Sequence, residues 1–164
     1  MKALGFEAPL WLKRKFGFEA TPPIKVWADS LAAGRLRLKA GFHTTPVTFQ
    51  DSCNFIRNAG MHRQSRELMA VVATDFREMH PNGNATYCCG NGGGQGLMPE
   101  YKKLKIAAMK AKAECIRATG AELVVVACHN CEDGIQETCK AYEVGAKIEL
   151  FSAYLAEAID LDEM

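Results

Sequence analysis

Three short apolar segments of this 164-residue chain are each followed, within three residues, by cysteine. The segments are rich in β-branched residues and read as β-strands. They cover residues 47–50, 85–87 and 123–127. The cysteines have the spacing C-x34-CC-x38-CxxC and are Cys53, Cys88, Cys89, Cys128 and Cys131. If all five thiols act together, the fold must bring the ends of three strands to one place.

Predicted helices alternate with the predicted strands along the chain. Strands are expected near residues 46–50, 85–88, 122–127 and 147–150. Helices are expected near 23–34, 99–120 and 152–159, with one more around Leu68 and Val72 and another that begins near Cys131. Such alternation favours a parallel sheet with right-handed crossovers. We therefore predict an α/β fold, with about four parallel strands, flanking helices, and the cysteines at the C-terminal strand edge. That edge is where open α/β sheets bind their ligands.

Two further cysteines lie on predicted helices. Apolar residues recur every three or four positions in the helix that follows Pro99, which indicates an inner face. That predicted face comprises Leu104, Ala108, Ala111, Cys115 and Ala118. Cys139 lies on the apolar face of the next helix, with Ile135 and Tyr142. We expect Cys115 and Cys139 to be core residues rather than ligands.

Composition excludes several classes of protein. A net charge of +1 gives no reason to invoke nucleic acid, and no apolar run approaches the roughly 20 residues that span a bilayer. Without a recognisable signal peptide the chain is expected in the cytoplasm, where thiols stay reduced. Seven cysteines there indicate metal or redox chemistry. We divide the chain into an N-terminal arm, residues 1–23, with exposed Trp11 and Phe16, and one domain, residues 24–164.

The residues alone leave the kind of centre open. Thiolates from several strand ends suit an iron–sulfur cluster or zinc. A CxxC pair that opens a helix also describes a redox dithiol, although five candidate ligands exceed what one tetrahedral zinc ion uses. After the Cys-Cys pair, the glycine-rich stretch would let backbone N–H groups approach an anionic cluster. Its candidate cofactor-binding residues are Gly90, Gly92, Gly93 and Gly94.

Residues 22–158 resemble the cysteine-rich CCG domain found in the B-type subunit of heterodisulfide reductase and in related iron–sulfur proteins. The resemblance rests on the five-cysteine spacing, and on the motifs Asp51-x-Cys53-Asn54-x-x-Arg57, Cys88-Cys89-Gly90 and Phe76-Arg77-Glu78-Met79. It is strongest to the catalytic iron–sulfur subunit of the membrane complex linked to dissimilatory sulfite reduction. The glycolate oxidase iron–sulfur subunit has the same domain. The resemblance implies a noncubane [4Fe-4S] cluster, held by all five cysteines, at which a disulfide or polysulfide is reduced.

The chain departs from this family in two respects. Ser52 stands where proline usually precedes the first cysteine, which removes no ligand. The chain has one such domain and no C-x2-C-x2-C run, so for redox catalysis we expect another redox protein or subunit to deliver the electrons. We expect it to form a homo-oligomer or to dock on such a partner, including a membrane complex. The alternative function is a non-catalytic electron relay or a zinc-stabilised assembly module.

Two residues beside the cysteines are candidate catalytic residues. Arg57 lies four residues after Cys53 and is a candidate for facing an anionic sulfur substrate. His129 lies between Cys128 and Cys131 and could supply a proton to a leaving thiolate. The alternative interpretations are a solvated surface arginine and a residue that shapes the CxxC turn.

Overall fold

A three-stranded parallel sheet forms the centre of the domain in the computed structural model, which describes residues 8–17 and 19–161. The strand order is β1-β2-β3, and Gln50, Val126 and Leu150 align at the C-terminal edge. The strands are β1 (Val47–Gln50), β2 (Leu123–Val126) and β3 (Lys147–Leu150). β1 is buried along its whole length and β2 almost so, as expected for a parallel sheet covered on both faces. The α/β prediction is confirmed.

Helices connect the strands and cover the sheet. They are α1 (Ala8–Phe16), α2 (Pro23–Ala32), α3 (His62–Val72), α4 (Lys102–Ala108), α5 (Lys110–Thr119), α6 (His129–Ala141) and α7 (Phe151–Glu157). A π-helix spans Cys53–Asn58, and 3₁₀ turns span Gly83–Ala85, Gln95–Leu97 and Pro99–Tyr101. Pro23 opens α2, and Gly120, in the left-handed conformation, ends α5.

Aromatic side chains from three elements meet in the core. The ring of Phe151, on α7, packs edge-on against Phe49 on β1 at 5.1 Å and against Trp27 on α2 at 6.0 Å. These contacts join the helices to the sheet beside its C-terminal edge. In the described part of the N-terminal arm, Trp11 and Phe16 are exposed and do not belong to this core. Residues 1–7 and 18 of the predicted arm lie outside the described residues.

The strand predicted over residues 85–88 is wrong. This segment follows the Gly83–Ala85 turn with no regular structure, because side chains rather than a neighbouring strand bind its carbonyl groups. Arg57 donates to the Thr86 carbonyl at 2.6 Å, and Gln50 donates to that of Tyr87 at 3.4 Å. The outer edge of β1 is bound by a different segment: the backbone N–H of Arg77 donates to the Val47 carbonyl at 2.8 Å.

The predicted long helix after Pro99 is divided, and its predicted inner face is also wrong. α4 and α5 are separated at Met109, which is buried. Leu104 is 69% exposed, and Ala108, Ala111 and Ala118 are exposed as well. The buried positions are Met109, Lys112, Ala113 and Ile116. Lysine is normally a surface residue, so its presence at position 112 hides the true inner face from a pattern of apolar residues.

Candidate metal centre

The parallel sheet brings the first and last cysteine groups to one edge. Gln50 and Val126 are register partners, and Cys53 and Cys128 follow them by three and two residues. Cys53 begins the π-helix, a rare element that is frequent at functional sites. Cys128 is the residue before α6, and Cys131 lies in the first turn of that helix. These three predicted ligands therefore share the predicted strand edge.

Side chains from the end of β1 and the π-helix hold the Cys-Cys segment at this edge. Asp51 accepts a hydrogen bond from the Gly83 N–H at 2.6 Å. Gln50 and Arg57 hold the Tyr87 and Thr86 carbonyls through the hydrogen bonds that replace a strand ladder. Cys88 and Cys89 follow directly, so they reach the edge without belonging to a strand.

Four of the thiols form a chain of interactions. Cys89 interacts with Cys88 and Cys131, and Cys131 also interacts with Cys128. The Cys89 sulfur also lies 3.7 Å from the Asn130 carbonyl oxygen. Cys53 is close enough for its charge to affect the titration of Cys88. The structure thus gathers all five predicted ligands.

The environment favours thiolates at two of these positions. Hydrogen bonds from Cys131 and Cys88 lower the pKa of Cys89. Hydrogen bonding from Cys131, together with backbone N–H groups of the first turn of α6, lowers the pKa of Cys128 to about 6. The pKa values of Cys88 and Cys131 are raised, because each gives its hydrogen bond to a neighbouring thiol. The site therefore stabilises negative charge on sulfur.

Four of the thiols contact one another in a chain instead of surrounding a common point. Among the described residues, no three Cys, His, Asp or Glu side chains form a group arranged around one metal ion. The donor set nevertheless fits a soft, thiolate-bound centre, since it consists of sulfur alone. A centre of several metal atoms would require these thiols to separate. Cys88 is exposed, whereas Cys89, Cys128 and Cys131 are buried, so one side of the site faces solvent.

Cys139 and Cys115 differ from the other five. Cys139 is buried in the core, and burial alone raises its pKa to about 11. Cys115 is half-buried against the core cluster. The pKa shifts of the site thiols involve neither residue. The predicted core position of Cys139 is confirmed, while Cys115 is only partly buried.

The glycine-rich stretch contributes to the site at its first residue. The Gly90 N–H donates to the Cys88 sulfur at 3.4 Å. Gly90 has φ +78°, and a Cβ there would lie 2.8 Å from the Met109 sulfur. A Cβ at Gly92, Gly93 or Gly94 would meet no atom within 4 Å, so close packing does not explain these glycines. Their predicted contact with a cofactor remains a prediction.

Arg57 and His129 have partners in the protein. Arg57 is exposed, and its guanidinium holds the Cys-Cys segment through Thr86. The His129 ring is exposed as well, and its Nδ1 lies 2.7 Å from the Glu132 carboxylate one turn along α6. Both residues therefore lie at the solvent side of the thiols, and their catalytic roles remain predictions.

Sequence reasoning missed a buried ionic network behind the site. Arg66, on α3, contacts Asp51 and Glu78; its Nη2 lies 2.8 Å from Asp51 and 2.6 Å from Glu78. Asp51 is 2% exposed, and the guanidinium also lies over the Phe49 ring. The network fixes the end of β1 and, through Gly83, the Cys-Cys segment. The motif Asp51-x-Cys53 is the signal that could have indicated it.

Gly134, on α6, is a second missed residue. A Cβ at this position would lie 2.3 Å from the carbonyl oxygen of Cys89, so α6 and the Cys-Cys backbone approach too closely for any other residue. We expect Gly134→Ala to lower the free energy of unfolding by about 2 kcal/mol, as overpacking does, although alanine favours helices. Urea unfolding of the metal-free, reduced protein measures this effect.

Gly145→Ala is the matched control, because a Cβ there meets no atom within 4 Å. It is expected to leave the free energy of unfolding within about 0.5 kcal/mol of the unsubstituted protein. Equal effects of the two substitutions would contradict the close approach of α6 to Cys89.

The fold and the site together define a thiol-rich α/β domain with its cysteines at a sheet edge. Residues 47–136 match the cysteine-rich domain family CCG. The chain belongs to this family, and the matched residues include all five candidate ligands. The resemblance inferred from the motifs is thereby confirmed.

Three curated proteins are similar to parts of the chain. A probable membrane-anchored ferredoxin of Chromohalobacter salexigens is 33% identical over 62% of this chain and 15% of its own length. A subunit of the fumarate reductase (CoM/CoB) of Methanothermobacter marburgensis is 30% identical over 60% of this chain and 19% of its own. The Hdr-like menaquinol oxidoreductase iron-sulfur subunit 2 of Archaeoglobus fulgidus is 32% identical over 43% of this chain and 13% of its own length. The chain therefore matches less than a fifth of each relative's length.

Within the described part of the chain, no helix combines the length and the apolar character needed to cross a bilayer.

Proposed function

We propose that the chain is an iron–sulfur redox subunit. Cys53, Cys88, Cys89, Cys128 and Cys131 would hold a noncubane [4Fe-4S] cluster, as the resemblance implies. The observation that supports this proposal most strongly is the convergence of these five thiols, with two of low pKa, at one sheet edge. Two relatives, one named as a probable ferredoxin and the other as an iron–sulfur subunit, support the same class.

We further propose that the substrate is a small disulfide or a polysulfide. An open cleft of about 370 Å³ lies beside the exposed thiol of Cys88, between Tyr87, Gly90 and the start of α5. Its lining is largely apolar, which suits an uncharged sulfur–sulfur bond. When bound, the cluster would supply electrons and an iron atom able to accept sulfur.

The reaction is RS–SR + 2 e⁻ + 2 H⁺ → 2 RSH. The sulfur–sulfur bond breaks, and each sulfur gains one electron and one proton. We propose that His129, exposed beside the CxxC pair, carries a proton from solvent. We propose that Arg57 positions the Cys-Cys segment, because its guanidinium donates a hydrogen bond to the Thr86 carbonyl. The electrons would come from another redox protein or subunit, which includes a component of a membrane complex.

The test is reduction of a small dialkyl disulfide by the iron-loaded protein, with reduced methyl viologen as the electron donor. We expect two thiols to be released for each disulfide consumed. Cys139→Ser should retain this activity, and Cys88→Ser should lose it. If the cluster takes up and returns electrons but no thiol appears, the chain is an electron relay and the proposed substrate is wrong.

A further inference from the structure

A fully buried lysine lies behind the Cys-Cys segment. Lys112, on α5, is 1% exposed. Its ammonium contacts the Met79 sulfur at 3.2 Å and the Thr86 hydroxyl at 3.3 Å. Within residues 8–17 and 19–161, no carboxylate forms an ion pair with Lys112. A thioether is a weak acceptor, so two neutral contacts only partly replace the water that the charge has lost.

The surroundings of Lys112 indicate what could offset this cost. Thr86 lies two residues before Cys88, in the segment that carries both adjacent thiols. Burial lowers the pKa of Lys112 to about 8, while negative charge on Cys115 and Asp51, and then on Cys131 and Cys89, acts in the opposite direction. Lys112 also borders the cleft beside Cys88. The Lys112 ammonium therefore lies on the interior side of the segment that carries Cys88 and Cys89.

Two other basic side chains that are largely shielded from solvent near the site have carboxylate partners, whereas Arg57 is exposed to solvent. Arg66 is bound by Asp51 and Glu78, and Lys105 contacts Glu137 and the Asn91 side chain. Lys112 is thus a buried positive charge near the centre that has no carboxylate partner among the described residues. An anionic metal–thiolate centre gains one further negative charge on reduction by one electron. A fixed cation in a medium of low dielectric constant stabilises that added charge.

We propose that Lys112 is the buried counter-charge of the thiolate centre and makes its one-electron reduction more favourable. This inference rests on the proposed function, since it requires a redox-active centre at the five thiols. Lys112 acts through space and is a positioning residue. Lys112 forms no bond to the centre and transfers no proton in the proposed reduction.

The test is the midpoint potential of the iron-loaded protein, followed by EPR and visible absorption during an anaerobic redox titration. Lys112→Met, a near-isosteric neutral substitution, is expected to lower the equilibrium constant for reduction about tenfold or more, which is about 59 mV for one electron. Lys112→Gln, which retains a hydrogen-bond donor for Thr86, should also lower the equilibrium constant for reduction. Agreement between the two variants assigns the effect to charge rather than to the hydrogen bond.

The matched control is Lys110→Met, which removes an exposed lysine from the same helix. Its charge is screened by solvent, so the potential should stay at that of the unsubstituted protein. In the metal-free state, Lys112→Met should also raise resistance to urea, because it removes a buried cation without an ionic partner.

The outcomes separate the two proposals. An unsubstituted protein that takes up no iron overturns the proposed function. A loaded Lys112→Met protein with an unchanged potential overturns the inference on Lys112 and leaves the proposed function intact. A Lys110→Met shift as large as that of Lys112→Met would show a general charge effect and likewise overturn the inference.

Discussion

Replacement of Cys89 by serine is expected to remove most of the bound iron and the associated visible absorption. Cys89 lies between Cys88 and Cys131, and hydrogen bonds from both lower the pKa of its thiol. Cys89 is therefore deprotonated most easily and is the strongest candidate for a metal ligand. Loss of a ligand should reduce affinity at least as much as changes in outer-shell partners, which cost about tenfold to a hundredfold. Iron per chain and the absorption spectrum measure this loss.

Cys139→Ser is the control for this prediction. Cys139 is buried, yet burial alone determines its pKa, and it has no part in the chain of thiols. Its substitution should leave the iron content unchanged and cost of order 1 kcal/mol, from the burial of a hydroxyl group. The same loss of iron in both variants would contradict the division between ligand and core cysteines.

Replacement of Asp51 by alanine is expected to lower the free energy of unfolding by about 3 kcal/mol and to reduce iron uptake. The substitution leaves the partly buried Arg66 guanidinium without one of its two carboxylates and the Gly83 N–H without its acceptor. Breaking a buried ion pair typically costs about 3–5 kcal/mol. Urea unfolding of the metal-free protein, and iron content after loading, measure the two effects.

Asp75→Ala is the matched control, because it breaks an aspartate–arginine pair with a separation of 2.7 Å at an exposed position. Exposed ion pairs contribute about 0–1 kcal/mol. If Asp51→Ala destabilises the protein no more than Asp75→Ala does, the network around Arg66 does not anchor the site as described.

The sheet could be predicted from sequence because its strands are short, apolar and followed by helix signals. The strand predicted at 147–150 coincides with β3, and the apolar run at 122–127 contains β2. The convergence of Cys53 and Cys128 followed from the parallel arrangement, since the C-terminal ends of parallel strands share one edge. These features depend on local composition and on general rules of topology.

The remaining features depend on contacts that local sequence does not encode. Thr86 and Tyr87 resemble strand residues, but the Arg57 and Gln50 side chains occupy their carbonyls and leave no ladder to form. Lys112 is a polar position in the sequence pattern, although it lies at helical spacing from the buried Ile116. The groups that Lys112 contacts, Met79 and Thr86, come from another part of the chain, so its burial could not be predicted from local sequence.

Analysis of iron and acid-labile sulfide in anaerobically purified protein tests the central claim most directly. The proposed centre predicts about four irons per chain, with acid-labile sulfide. The signal should fall in Cys89→Ser and persist in Cys139→Ser. One zinc per chain without sulfide would contradict the claim and would instead support a zinc-stabilised assembly module.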